Sequence, residues 1–140
     1  MENLFECKVK YQKINESGKH VNVKETYLQR AGNFADAENR ITEGLKDYTQ
    51  MEQLTVVSIK TTKFTEVMRG GEDGKWYKCK AEFISFDENT GKEKKANQTI
   101  LVEADDADKA YKKLEKELKN SVAEFTIKKI EETAITELYE

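Results

Sequence analysis

Proline is absent from the 140 residues, histidine occurs once and cysteine only twice. Without proline no element is broken by a missing backbone donor, so boundaries must be set by glycine, asparagine and aspartate. Cys7 and Cys79 lack C-x-x-C spacing and sit inside apolar alternations, which fits reduced, buried thiols better than a disulfide or a metal site. No run approaches the ~20 consecutive apolar residues of a membrane span. Met1-Glu2-Asn3-Leu4 opens directly into strand-like sequence without a basic-then-apolar leader, so a cytoplasmic protein with no membrane partner is expected. Charge of one sign is also missing. With 24 basic against 27 acidic residues the net charge is −3, and the chain as a whole has no bulk attraction for nucleic acid or anionic lipid.

What is present is a core. Charged residues are 36% of the chain, a load that suits disorder, but six Phe, six Tyr and one Trp with regularly spaced Leu, Ile and Val supply packing surface. A folded chain of this length buries roughly 68% of its unfolded surface and needs no staples.

An internal repeat organises the sequence. Shifted by 72 positions, Phe5, Cys7, Val9 and Tyr11 fall on Tyr77, Cys79, Ala81 and Phe83. At 73, Ala37, Ile41 and Leu45 fall on Ala110, Leu114 and Leu118; at 71, Val56, Ile59 and Thr62 fall on Ile127, Ile130 and Thr133. Both changes of offset lie in expected loops, where insertions are tolerated. The chain therefore reads as one domain of two ββαβ repeats, 1–69 and 75–140, joined by the Gly-rich connector 70–74.

In the first repeat Phe5, Cys7, Val9 and Tyr11 alternate with polar residues, the period of a strand with one wet face. The turn Asn15-Glu16-Ser17-Gly18-Lys19 leads to a partner strand from about His20 to Leu28. Asn33 is the expected N-cap of a helix with the apolar stripe Phe34, Ala37, Ile41, Leu45 and Tyr48. Gly44 inside that helix costs roughly 1 kcal/mol relative to Ala, implying either a close contact or local weakness. In the third strand the alternation slips between Val56 and Ile59, and between Ile127 and Ile130 in the second repeat, which predicts a bulge or bend redirecting a segment that runs on through Val67. The second repeat has strands Trp76 to Phe86 and Lys94 to Val102, the cap Asp106, the stripe Ala107, Ala110, Leu114 and Leu118, and a last strand Phe125 to about Leu138. The expected fold is α+β and pseudo-twofold, with two helices packed on an antiparallel sheet of six or more strands. The repeats either pair edge to edge or exchange elements.

Groups able to carry chemistry are sparse. His20 beside a turn reads as an exposed neighbour more readily than as a general base or ligand. Asp105-Asp106-Ala107-Asp108 reads as helix capping, Asp87-Glu88-Asn89-Thr90-Gly91 as a hairpin turn without the distal Glu of a Ca²⁺ loop. Gly70-Gly71-Glu72-Asp73-Gly74 lacks the ending and context of a phosphate loop. Basic residues interleaved with aromatics form the one suggestive group: Lys75, Trp76, Lys78 and Lys80, with Lys92, Lys94 and Lys95 after the facing turn. Trp76 lies out of phase with Cys79, hence on the wet face, where it would join a contact surface or stack on single-stranded nucleic acid. The plain alternative is that alternating Lys keeps a strand soluble.

The run Trp76-Tyr77-Lys78-Cys79-Lys80-Ala81-Glu82-Phe83-Ile84, with Asp87 to Lys94, Phe34 to Glu38, Leu101 to Ala107 and Glu131-Glu132-Thr133, resembles a small family of Bacteroidetes proteins grouped only as a domain of unknown function. The resemblance implies a bacterial, cytoplasmic protein from a lineage whose genes of this sort also occur in mobile elements and phages. It brings no activity, cofactor or catalytic residue.

The expectation is thus a non-enzymatic binding or scaffold module, with no catalytic, metal or cofactor-binding residue, that takes a protein partner or a second copy of itself. The alternative is a single-stranded nucleic-acid-binding protein using the Lys/aromatic face. A hydrolase or transferase would instead need a concave pocket in which His20 or paired carboxylates converge.

Overall fold

The structure, a computed structural model, describes residues 2–46, 53–71, 74–120 and 124–140. Strands β1 (Asn3–Ile14) and β2 (His20–Ala31) pair antiparallel from Asn3↔Ala31 to Ile14↔His20. Phe5, Cys7 and Val9 point inward while Lys8 and Lys10 are exposed, so the sequence alternation is the pleat itself. The turn closes on Gly18, whose φ of 81° a β-carbon would strain. There the Asn15 carboxamide accepts from the Ser17 and Lys19 amides, at 3.0 Å each.

Helix α1 (Phe34–Leu45) begins where expected. The Asn33 side chain accepts from the Asp36 amide at 2.8 Å, and the Asp36 carboxylate accepts in return from the Gly32 amide at 2.9 Å. That backbone donor, with Arg40 beside it, holds the Asp36 carboxyl below its usual range. Ala37, Ile41 and Leu45 bury against Phe5, Cys7, Val9, Tyr27 and Ala31. Phe34 is half exposed, touching Phe5 edge-on at 5.2 Å, and Tyr48 lies outside the described residues.

Strand β3 (Thr55–Thr61) pairs with β1 through the expected irregularity. Val9 faces Val56 and Lys8 faces Ser58, leaving Val57 unpaired and exposed as a bulge. The chain then leaves this sheet, and β4 (Phe64–Met68) joins a second one. That sheet contains β5 (Trp76–Phe86), β6 (Glu93–Glu103) and β7 (Glu124–Glu132), with helix α2 (Ala107–Leu118) capped by Asp106, which accepts from the Lys109 amide at 2.7 Å. Strand β7 skips Lys128 against β5, the counterpart of the Val57 bulge, and the last strand, β8 (Ile135–Tyr139), returns to the first sheet.

Among the described residues the strands do not form one antiparallel sheet of six or more. There are two mixed sheets of four strands, ordered β3-β1-β2-β8 and β4-β6-β5-β7, in which β2 with β8 and β4 with β6 are parallel pairs. Each bulged strand, β3 and β7, ends after its bend, and the strand that follows it, β4 or β8, pairs in the other sheet. A threonine marks each departure. The Thr62 hydroxyl donates to the Leu4 carbonyl at 2.9 Å, and that of Thr133 to the Trp76 carbonyl at 2.8 Å. Unit 1 is Met1–Thr62 with Ala134–Glu140; unit 2 is Lys63–Thr133. In unit 2, Tyr77, Cys79, Ala81, Ile100, Val102 and Met68 meet Ala110, Leu114 and Leu118 of α2.

Two glycines are expected to respond oppositely to a methyl group. A β-carbon at Gly44 meets nothing within 4 Å, so the penalty there comes from helix propensity alone. At Gly71 it would lie 2.9 Å from the Ala104 nitrogen and 3.1 Å from its α-carbon, backbone that must move. Urea unfolding should show Gly44→Ala gaining about 1 kcal/mol and Gly71→Ala losing about 1–3 kcal/mol.

Candidate functional site

The Lys/aromatic cluster does not assemble on one surface. Lys78, Lys80 and Lys95 share the helix-free face of the β5–β6 hairpin, whereas Lys94 pairs with Ser85 on the opposite face and Lys92 belongs to the turn. Lys75 precedes the strand, its carbonyl accepting from the Ala104 amide. Six residues of strand separate Lys78 from Ile84, the partner of Lys95, which is about 20 Å.

Trp76 corrects the expectation of an exposed ring. It is 0% exposed. Its phase is as read, opposite Cys79, but the helix-free face is unevenly covered: Lys78 and Lys80 are exposed on it while Trp76 is not. At the near end Leu101 is fully buried on the same face, and the Arg69 guanidinium lies 5.7 Å from the Trp76 ring centre. Alternation assigns a side chain to a face and says nothing of what covers that face. The indole N–H is the buried side-chain donor that finds no acceptor among the described residues.

The lysines that are exposed there are balanced by carboxylates. Lys95 pairs with Glu93 at 3.9 Å, Lys128 with Glu82 at 3.9 Å, and Lys129 with Glu131 at 2.7 Å. Lys129, followed by Lys78 and Lys80, holds the Glu131 carboxyl below its usual range. The acidic runs are structural as read: Asp106 caps α2, Asp105 and Asp108 pair with Lys109 and Lys112, and Asp87 accepts from the Asn89 amide in its turn.

In unit 1 an open groove of about 560 Å³ lies along α1, lined in part by Gln29, Arg40, Glu43, Gly44 and Tyr139. Its cation is already committed. The Arg40 guanidinium meets Glu2 at 2.7 Å and Asp36 at 3.0 Å and donates to the Arg30 carbonyl at 3.1 Å. Glu43 is held by Lys46, and the buried Gln29 amide donates to the Arg30 carbonyl at 3.0 Å. His20 is exposed opposite Ile14 at the far end of the hairpin and does not line this groove. Nearby, Glu25 accepts from both the Tyr11 and Tyr27 hydroxyls, a latch within the β1–β2 ladder. Burial, then that carboxylate, pushes Tyr11 up to about 12 and raises Tyr27 as well.

A surface absent from the sequence expectations is the helix-free face of β1–β2. Lys8, Lys10 and Lys24 stand exposed on it, with Lys10 directly opposite Lys24. Their neighbours across the strands are neutral: Thr26 and Ser58 beside Lys8, Thr55 beside Lys10, with Gln12 opposite Asn22 next along the ribbon. Glu6, nearer the sheet centre, faces Leu28 and Lys60. None of the three lysines makes an ion pair among the described residues. Like charges set directly across a ladder cost about 0.2–1 kcal/mol, so folding alone does not favour this pairing. The signal was available in the sequence: between Lys8 and Lys24 there are five lysines and one acidic residue, Glu16. Net charge taken over the whole chain averages it away.

The chain matches no curated protein and no solved structure. It matches a sequence family along nearly its whole length, residues 3–140, and belongs to that family, described as a domain of unknown function (DUF4494).

Proposed function

We propose that the chain is a non-enzymatic binding module whose contact surface is the helix-free face of β1–β2. The observation that carries this reading is the opposed pair Lys10 and Lys24, exposed and without a carboxylate partner among the described residues. A fold maintains such an arrangement at a cost that a bound anionic partner removes. The partner therefore carries negative charge. Self-association through this face is opposed, because a twofold contact sets each lysine pair against its own copy.

The matching element order of the two halves, strand-strand-helix-strand with a bulge in each third strand, supports descent from one duplicated ββαβ repeat. The two buried, unpaired cysteines fit a reducing compartment, and with the family resemblance they support a role in the cytoplasm of a bacterium, its phage or a mobile element.

Light scattering should show that the face does not drive dimerisation, with the same mass for the wild type and Lys10→Glu/Lys24→Glu. Material retained from a bacterial lysate by the immobilised wild type should be lost from the double variant and released by salt. Retention unaffected by the charge reversal would remove this face from the function.

A further inference from the structure

We infer that the helix-free face of β1–β2 binds the sugar-phosphate backbone of nucleic acid. This rests on the reading of that face as the contact surface and names its ligand.

Charge asymmetry between the hairpins is the first support. Both have long antiparallel strands closed by a positive-φ glycine, Gly18 or Gly91. Yet Lys8 to Lys24 holds five lysines against one acid, while the matching stretch Lys80 to Asn97 holds four against four. The hairpin thus forms without the excess, and the excess is not required by the fold.

Spacing is the second. Lys8 and Lys10 lie two residues apart on one face, about 7 Å, and Lys24 stands across from Lys10 at about 5 Å between α-carbons. Three ammonium groups in so small an area are satisfied together by a polymer with a charge on every backbone unit. One or two isolated carboxylates leave the rest unpaired. Lysine is a flexible point charge suited to phosphates, and Thr26 opposite Lys8, with Gln12 and Asn22 next along the ladder, adds donors for phosphate and sugar oxygens.

The third support is what shares the face. Tyr11 and Tyr27 point to the other side, beside α1, so this patch offers no stacking ring; the arginine on this face, Arg30 opposite Leu4, stands six residues of strand from Lys24, about 20 Å, and is paired with Glu140, so the patch has no bidentate fork to read guanine. Recognition then falls on the backbone without base preference. A membrane surface is disfavoured, since stable attraction to anionic lipid takes about four to eight clustered cations.

Fluorescence anisotropy with the full chain and a labelled mixed-sequence duplex of about 20 base pairs tests this. The wild type should bind at about 50 mM salt and weaken towards 200 mM, with a log–log slope near −3 for three neutralised phosphates. A single strand of the same length should bind no more tightly. Lys10→Glu/Lys24→Glu should lose at least about tenfold in affinity and about two units of slope. The same reversal at Lys78 and Lys80 should change affinity by less than about threefold, which separates this face from general charge. Both pairs are exposed, and thermal unfolding confirms that the variants fold. Absence of duplex binding at low salt overturns the assignment. So does equal binding of polyglutamate of matched charge, or of vesicles rich in phosphatidylserine. If nucleic acid fails while lysate retention still depends on Lys10 and Lys24, the ligand is wrong and the binding face stands. If both fail, the face has no binding role.

Discussion

A chain ending at Thr133 is expected to lose order in β2, far away in sequence, rather than in β7 next to the cut. Strand β8 hydrogen-bonds to β2 over Thr26 to Gln29. It buries Ile135 and Leu138 to 7% and 3% exposure, and stacks Tyr139 on Tyr27 at 5.7 Å. Removing two large buried side chains forfeits roughly 3–6 kcal/mol, and the freed edge of β2 adds to the loss. The Arg30 to Glu140 ion pair, open to solvent at Glu140 and partly so at Arg30, adds little. A domain of this kind is stable by about 5–15 kcal/mol, so the truncation removes a large share. Hydrogen exchange should find the amides of Thr26 to Gln29 deprotected while β7, paired to β5, exchanges more slowly. Unchanged protection in β2 would contradict the parallel β2–β8 pairing.

Stability should also collapse at alkaline pH, and the sign comes from four groups. Cys7 and Cys79 are fully buried, and burial pushes each thiol from 9.0 up to about 11; Glu6 adds to the effect at Cys7. Tyr11 is raised to about 12 and Tyr27 further. A raised acid binds its proton more tightly when folded. Its stabilisation is complete below the unfolded value and is lost as pH rises through the folded one. The thiols thus act between about pH 9 and 11, and the tyrosines from about pH 10 upward. Each proton released on unfolding costs about 1.4 kcal/mol per pH unit. Two thiols give about 3 kcal/mol per unit and on the order of 5 kcal/mol over the window. Urea midpoints measured from pH 8 to 11, a range set by these values, should fall steeply above pH 9. In Cys7→Ala/Cys79→Ala the starting stability is lower but the slope should shrink by about two protons. A slope unchanged by the double substitution would discharge the thiols from this role.

Local chemistry was well written in the sequence. Asn33 and Asp106 cap the helices as expected because capping depends on three or four residues. The phase slips at Val56 and Ile127 became bulges at Val57 and Lys128 because a period of two tolerates no insertion. The path of the chain beyond each bulge was not fixed locally. Phe64 to Met68 could extend any apolar edge, and only the presence of β6 in register makes it a parallel partner there. Trp76 shows the same limit: its phase is a property of β5, while its burial depends on what lies over that face, Arg69 included. The lysine face was equally legible, but the aromatics of the other hairpin made the stronger pattern, and there nearby carboxylates cancel the charge.

The return of the last strand to the first sheet sets an order of events during synthesis. Gln29 and Tyr139, neighbours in the folded sheet, are 110 residues apart in the chain. While the ribosome makes everything between them, the outer edge of β2 has no native partner, and a bare strand edge is a template for pairing with other chains. Completion waits for β8 to emerge, and closing so long a loop slows folding. Unit 2, whose strands all precede β8, can finish before unit 1, although most of unit 1 is made ahead of it.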